Sequence, residues 1–205
     1  GTRTFVALNN QLAGIISFED ALRSDSKSTI DQMRRNHVKD IYLITGDNLA
    51  SAKNVAKQVG IDIKRVIANA LPVDKLKAVE NNLEPPVAFV GDGVNDAPVL
   101  VAADVGIAMG AKGSTAASQS ADIVIMPDKL SKVADAHLIA KRTFSIARQS
   151  IQVGIGLSVG LMLIFATGKF QPIYGAVVQE FVDVAVIFNA LRAHSPGRSS
   201  GKSTK

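Results

Sequence analysis

The sequence contains no cysteine and no tryptophan, and aromatic residues make up only 5% of it. Without cysteine the chain can form neither a disulfide framework nor a thiolate metal site. So few aromatic side chains argue against a module that stacks nucleic-acid bases, and the net charge of +5 is modest, so we expect no nucleic-acid partner. General disorder is excluded, because hydrophobic residues make up 47% of the 205 residues.

The apolar residues are distributed unevenly along the chain. Short apolar runs alternate with polar helical stretches up to about residue 140, and a nearly continuous apolar region then ends at Leu191. A tail of Ser, Gly, Lys and Arg follows, and its composition predicts disorder. We therefore predict four parts: a strand pair over 1–18, an α/β domain over 19–140, a transmembrane helix pair over 141–191 and a disordered basic tail over 192–205.

The first 140 residues have the pattern of an α/β fold. Two β-prone runs, 4–8 and 12–18, flank an Asn-rich turn and predict a hairpin. Strands then alternate with helices, which predicts a doubly wound parallel sheet whose ligands bind beyond the carboxyl ends of the strands. The predicted strands cover 40–45, 65–68, 86–92, 105–109 and 122–126, and helices begin near Ser24, Asn48, Pro72 and Pro98.

Two apolar stretches of membrane length follow. The first, 151–167, has 17 residues and no charge, and the second, 172–191, has 20 residues interrupted by Glu180 and Asp183. Only 168–171 separate them, so they form a hairpin. Lys and Arg are concentrated at the two outer ends, which places the preceding domain and the tail in the cytoplasm. The alternative is a buried helical hairpin in a soluble protein.

Three short polar elements lie next to the predicted strands and helices. Thr-Gly-Asp alone is a common turn, and a single helix lysine is usually solvated. The glycine-rich run after the third strand is more specific, because turn chemistry explains Asp-Gly but not the Asn-Asp that follows. Its glycines let the backbone come close to a bound group. The three elements are Thr45-Gly46-Asp47, Lys75 and Gly91-Asp92-Gly93-Val94-Asn95-Asp96.

These residue types suit phosphoryl transfer, which requires a cation, a hydrogen-bond donor and usually Mg²⁺. Mg²⁺ prefers hard oxygen ligands, and Asp92 lies on a glycine-flanked turn at a strand end. Asn95 and Asp96 follow three and four residues later and can turn back toward the same centre. Thr45 can donate its hydroxyl to a phosphoryl oxygen, and Lys75 can neutralise that oxygen as a point charge.

Five segments in the same order resemble the phosphorylation domain of P-type ATPases, which are cation pumps of the haloacid-dehalogenase superfamily. They are Thr45-Gly46-Asp47, 72–75, GDGVNDAPVL over 91–100, ADVGIAMG over 103–110 and SADIVIM over 120–126. Two spans follow, and the second ends in Asn189-Ala190-Leu191-Arg192. This layout is similar to the heavy-metal-transporting branch of these pumps.

The resemblance implies a fold, an activity and partners. Residues 1–18 would end the nucleotide-binding domain, and residues 19–140 would be the later part of a haloacid-dehalogenase-like phosphorylation domain. The full enzyme would be a multi-pass membrane protein that moves a divalent transition-metal ion at the expense of ATP, through an aspartyl-phosphate. Mg²⁺ and ATP are the implied cofactors, and membrane lipid and the rest of the pump chain are the implied partners.

The resemblance also implies residue roles. Mg²⁺ would be bound by Asp92 and ordered by Asp96 and Asn95, while Thr45 and Lys75 hold the phosphoryl oxygens. Asp20 and Arg23 resemble the hinge and nucleotide-approach positions, and Asp47 would lie near the nucleotide. The implied catalytic set is Thr45, Gly46, Asp47, Lys75, Asp92, Asn95 and Asp96, and the implied cofactor contacts are Asp20, Arg23, Thr45, Asp47, Gly91 and Gly93.

The nucleophile of that family, an Asp within Asp-Lys-Thr-Gly, is not in this sequence. Asp-Lys occurs at Asp74-Lys75 and Asp128-Lys129, and neither pair is followed by Thr-Gly. Because the chain also opens at Gly1 in a strand-like run, we expect it to be the C-terminal part of a longer enzyme, inactive alone, with a sheet that lacks its central strand. A soluble phosphatase of the same superfamily and a non-catalytic membrane-anchored subunit or decayed fragment are the alternatives.

Two carboxylates lie within the second apolar stretch. Such groups are costly in lipid and by default mark an ion path, and the i, i+3 spacing of Glu180 and Asp183 places them on one helix face. With Gln179 or Asn189 they would offer oxygen ligands to a divalent cation, which suits hard cations or Zn²⁺ better than Cu(I). Pairing with basic groups on other helices is the alternative.

Overall fold

The computed structural model describes residues 2–9, 11–18, 21–91, 95–110, 119–169 and 171–193. The chain divides into two compact units, with the boundary between Asp135 and Ala136. The domain limits inferred from the sequence remain predictions. The predicted disordered tail lies outside the described residues beyond Ala193.

The chain opens with the predicted antiparallel hairpin. Strand β1 covers Thr2–Leu8 and strand β2 covers Gln11–Phe18, and they pair from Thr2 opposite Phe18 to Leu8 opposite Gln11. Asn9 begins the turn at φ 52°, a left-handed conformation that asparagine tolerates better than most residues. The side chains of Phe5 and Leu12 are exposed, so the hairpin leaves apolar surface uncovered.

Five further strands form two parallel sheets, which confirms the predicted α/β fold. Strand β3 (Leu43–Ile44) pairs with β4 (Val66–Ile67). Strands β5 (Ala88–Gly91), β6 (Val105–Met109) and β7 (Ile123–Ile125) pair in that order. Among the described residues β3 and β5 each have a partner on one side only, and β3 is shorter than the strand predicted at 40–45.

Helices follow the strands as the sequence predicts. They are α1 (Ser26–Arg35), α2 (Leu49–Val59), α3 (Pro72–Lys77) and α4 (Ala97–Ala102), with a 3-10 turn at Ile63–Arg65 and a π-helical turn at Ala78–Asn82. The Asn48 side chain accepts a hydrogen bond from the Ser51 backbone amide at 3.0 Å and caps α2. Gly60, at φ 79°, ends α2 in the left-handed conformation.

The apolar face of α1 connects the two parallel sheets. Ile30 packs against the cluster of Ala56, Val59 and Ile61 beside β3 and β4. Met33, almost one turn further, packs against the cluster that contains Ile107 and Ile125. The sequence predicts this apolar stripe of Ile30 and Met33. Because the stripe packs against one apolar cluster from each sheet, it holds both sheets in one unit.

Two long apolar helices follow, and all but the first five residues of the first belong to the second unit. Helix α5 covers Ser131–Ala166 and helix α6 covers Pro172–Leu191, so the predicted span at 151–167 corresponds to the second half of one 36-residue helix. Residues 131–150 contain no proline or glycine that would break the helix. Gly168, at φ 71°, follows its end. Both helices are long and apolar enough to cross a membrane. In the most apolar stretch of each helix, only 6% and 0% of the residues are buried. That exposure favours lipid contact over a buried hairpin.

Candidate active site at the carboxyl ends of the parallel strands

The first predicted element, Thr45-Gly46-Asp47, directly follows β3. The Thr45 backbone amide donates to the Ile67 carbonyl at 2.9 Å, which extends the pairing with β4 by one residue. The Thr45 hydroxyl donates to Asp47 Oδ2 at 3.0 Å and accepts from the Asp47 amide at 3.1 Å. Thr45 and Asp47 therefore form a local turn at the carboxyl edge of the sheet, with Asp47 exposed to solvent.

The second and third elements meet in an ion pair. Lys75, on α3, places Nζ 2.8 Å from Asp96 Oδ1, at the start of α4. The two side chains are only 20% and 10% exposed. Each of these charges stabilises the other, because either one alone would be a partly buried charge without compensation for its lost hydration. The usual explanation of a single helix lysine, full solvation, does not apply to Lys75.

Gly91 brings the end of β5 against this pair. A Cβ atom built on Gly91 would lie 2.9 Å from Asp96 Oδ2 and 3.0 Å from Cε1 of Phe89. A side chain at this position would force the Asp96 carboxylate to shift, so the glycine permits its close approach to the strand end. The structure thus gathers Lys75, Gly91 and Asp96 at the carboxyl end of β5.

Several predicted site residues are not placed by the structure or lie apart from this pair. Asp92, Gly93 and Asp20 lie outside the described residues. Asn95 is described and exposed, in the turn before α4. Arg23 donates from Nε and Nη2 to Asp128 Oδ1, at 2.9 and 2.7 Å, on the surface of the first unit.

The oxygen chemistry of Asp96 fits the predicted magnesium site. Its residue is 7% exposed, and Oδ1 is occupied by Lys75 while Oδ2 faces Gly91 at the strand end. A carboxylate oxygen is the kind of ligand that Mg²⁺ takes. Among the described residues no three acidic or histidine side chains converge as a complete metal site. A second carboxylate would have to come from Asp92.

The sequence gives no local signal for the contact of Asp25, the residue directly before α1. Its Oδ2 accepts a hydrogen bond from the Ser131 backbone amide at 2.8 Å, at the first residue of α5. That bond, which outweighs the opposing effect of burial, holds the pKa of the Asp25 carboxyl below its usual value of 3.8. The partners are 106 residues apart, so only the folded chain reveals the contact.

The two carboxylates of the hairpin, Glu180 and Asp183, have different surroundings. Gln179 donates from Nε2 to Asp183 Oδ1 at 2.9 Å and to Ser158 Oγ, on α5, at 3.0 Å. Glu180 is exposed and, within the described part of the chain, makes no hydrogen bond or ion pair. Of the two suggested companions, Gln179 contacts Asp183, whereas Asn189 donates to Ser150 Oγ at 2.7 Å. The sequence signal for these contacts is the presence of the polar residues Gln179, Asp183 and Asn189 within an apolar stretch, with Asp183 four and Asn189 ten residues after Gln179.

Comparisons with known proteins identify the family of this chain. The sequence model of haloacid dehalogenase-like hydrolases matches residues 1–104. The chain is 38% identical over 200 residues to a zinc-transporting ATPase of Synechocystis, covering 94% of this chain and 27% of that protein. It is 38% identical over 198 residues to a cadmium, zinc and cobalt-transporting ATPase of Bacillus subtilis, covering 94% of this chain and 28% of that protein.

A solved structure matches both units of the chain. The crystal structure of a zinc-transporting PIB-type ATPase in the E2.Pi state superposes with a TM-score of 0.81 at 33% identity, over 93% of this chain and 31% of that one. The chain therefore spans between a quarter and a third of the length of the relatives it matches.

Proposed function

Because the chain belongs to the haloacid dehalogenase-like hydrolase family and matches heavy-metal P-type ATPases along 93% of its length, we propose that it is the C-terminal part of an ATP-driven heavy-metal pump. It would supply the phosphoryl-binding residues and the last membrane hairpin. The observation that carries the proposal is the partly buried pair of Lys75 and Asp96 beside Gly91. A structural ion pair has no need of a side-chain-free strand end against its carboxylate, whereas a site for a phosphoryl group does.

The division of the parallel strands supports this proposal. Strands β3 and β5 each have a pairing partner on one side only among the described residues, and α1 packs against both sheets. One further parallel strand between β3 and β5 would complete a single sheet. Its carboxyl end would then lie between Thr45 and Asp96, the position that a nucleophilic aspartate would need.

The residues of this chain would act mainly by charge and position. Lys75 would neutralise the transferred phosphoryl group while Asp96 keeps its ammonium in place. Thr45 would turn its hydroxyl from Asp47 to a phosphoryl oxygen, and Asn95 would add an amide donor. Asp92 and Asp96 would hold Mg²⁺, which when bound neutralises phosphate charge.

The hairpin would carry the transported ion. Gln179 lies against α5 and is hydrogen-bonded to the exposed Asp183, and Glu180, one residue after Gln179 on α6, offers a further carboxylate on a neighbouring face. Carboxylate and amide oxygens suit a divalent transition-metal ion better than Cu(I). The related proteins named above transport zinc, or cadmium, zinc and cobalt. With Lys141, Arg142 and Arg192 at the outer ends of the hairpin, the phosphorylation domain would lie in the cytoplasm.

A chimeric pump tests the proposal. The matching segment of the Synechocystis zinc-transporting ATPase is replaced by this chain, and the product is expressed in a bacterial host that lacks its own zinc exporter. We expect growth at zinc concentrations that stop the host, and loss of that growth with Asp96→Asn. Asp135→Asn, an exposed carboxylate paired with Lys132, is the matched control and should retain growth. A chimera that reaches the membrane without conferring tolerance, or one that tolerates Asp96→Asn, would contradict the proposal.

A further inference from the structure

The side chain of Asn189 has partners at both ends of its amide. Its Nδ2 donates to Ser150 Oγ on α5 at 2.7 Å, and its Oδ1 accepts from Arg192 Nη1 at 3.0 Å. Ser150 is only 4% exposed, whereas Arg192 lies just beyond the last residue of α6. The guanidinium can only donate, so it fixes which end of the amide faces Ser150.

The rest of the contact between α5 and α6 is mostly apolar. Less exposed positions on α6 recur every three or four residues, at 175, 179, 182, 186 and 189. Val186 packs closely against Gly154, and its Cγ2 would lie 3.2 Å from a Cβ atom built on that glycine. The ring of Phe165 packs against Gly175 in the same way. Such contacts pack the helices together, but they gain no hydrophobic driving force over contact with lipid, because lipid tails are equally apolar.

Two polar contacts between the helices do select a register. They are Ser150 with Asn189 and Ser158 with Gln179, ten residues apart along α6. Ten residues correspond to roughly 15 Å of helix, so the first contact lies close to the C-terminal end of α6 and the second deeper in the hairpin. A slip of one turn, roughly 5.4 Å, would separate Gln179 from Ser158.

We propose that Asn189 is a positioning residue that sets the register of α6 against α5 and thereby keeps Gln179, the hydrogen-bond partner of Asp183, in contact with Ser158. Arg192 contributes by orienting the Asn189 amide. The consequence for ion transport rests on the proposed function, whereas the register itself does not.

Cysteine cross-linking of the whole chain in membranes tests the register directly. The chain has no cysteine of its own, so Gly154→Cys with Val186→Cys gives an unambiguous reporter pair. We expect ready disulfide formation in this background, and a loss of most of it when Asn189→Ala is added. Phe188→Ala removes a larger but 68% exposed neighbour and should leave cross-linking unchanged. The exchange Ser150→Asn with Asn189→Ser restores a polar pair and should restore cross-linking.

Zinc activation of the chimeric ATPase supplies the functional readout. Asn189→Ala should raise the zinc concentration for half-maximal activation several-fold with little change in the maximal rate, and the Ser150/Asn189 exchange should reverse the shift. Unchanged cross-linking in Asn189→Ala would overturn the inference even if the chimera pumps zinc. Conversely, an inactive chimera with the expected cross-linking pattern would refute the proposed function and leave the register assignment standing.

Discussion

The ion pair of Lys75 and Asp96 gives the sharpest energetic prediction. Replacing Lys75 by methionine keeps most of the side-chain volume but leaves a carboxylate that is 10% exposed without its cation. Exposed ion pairs contribute less than about 1 kcal/mol, whereas removing one partner of a fully buried pair costs about 3–5 kcal/mol. With side chains 20% and 10% exposed, Lys75→Met should lower the free energy of unfolding by about 2–3 kcal/mol.

A urea titration of the whole chain in detergent, read by pulse proteolysis, measures this loss. Lys77→Met is the matched control, because Lys77 lies on the same helix but is exposed, and it should change the free energy by less than about 0.5 kcal/mol. Adding Asp96→Asn to Lys75→Met removes the unpaired charge and should recover about 1–2 kcal/mol of the loss. Equal effects of the two lysine substitutions would refute the claim that the pair is desolvated.

Three other predictions concern the same unit. Gly91→Ala would place a Cβ 2.9 Å from Asp96 Oδ2, so it should abolish zinc tolerance in the chimera even where the protein accumulates normally; retained tolerance would contradict the close approach. The pKa of Asp25 is lower in the folded than in the unfolded chain, so the stabilisation by its charge is present above pH 3.8 and is lost as the pH falls through the lowered folded value. The advantage of the wild type over Asp25→Asn in unfolding free energy should therefore shrink over this pH range, and an advantage independent of pH would count against the Ser131 hydrogen bond. Amide hydrogen exchange should be slower in β6, which is paired on both sides, than in β5, and the reverse order would contradict the sheet arrangement.

The sequence was sufficient for the local elements because their signals are local. Asn48 and Gly60 mark the two ends of α2, and the Ile30 and Met33 stripe marks the buried face of α1. The start of the long helix α5 at Ser131 was not predicted, because hydropathy marks only the apolar part of a helix that continues into polar sequence.

Only those residues of the candidate site that belong to a recognisable motif could be predicted from the sequence. The glycine-rich run and Lys75 are recognisable by residue type, but their ion pair joins positions 21 residues apart, and spacing alone does not reveal it. The contacts of Asp25 with Ser131 and of Ser150 with Asn189 join still more distant positions. In each case the partner is selected by tertiary packing, which no local pattern encodes.

The sequence of the genomic DNA upstream of the Gly1 codon tests the central claim most directly. If this chain supplies the phosphoryl-binding part of a pump, the reading frame continues upstream into Asp-Lys-Thr-Gly, on a strand able to lie between β3 and β5, and into further membrane spans. A start codon close to Gly1 with no such motif would contradict the account, because the chain would then have no nucleophile to serve.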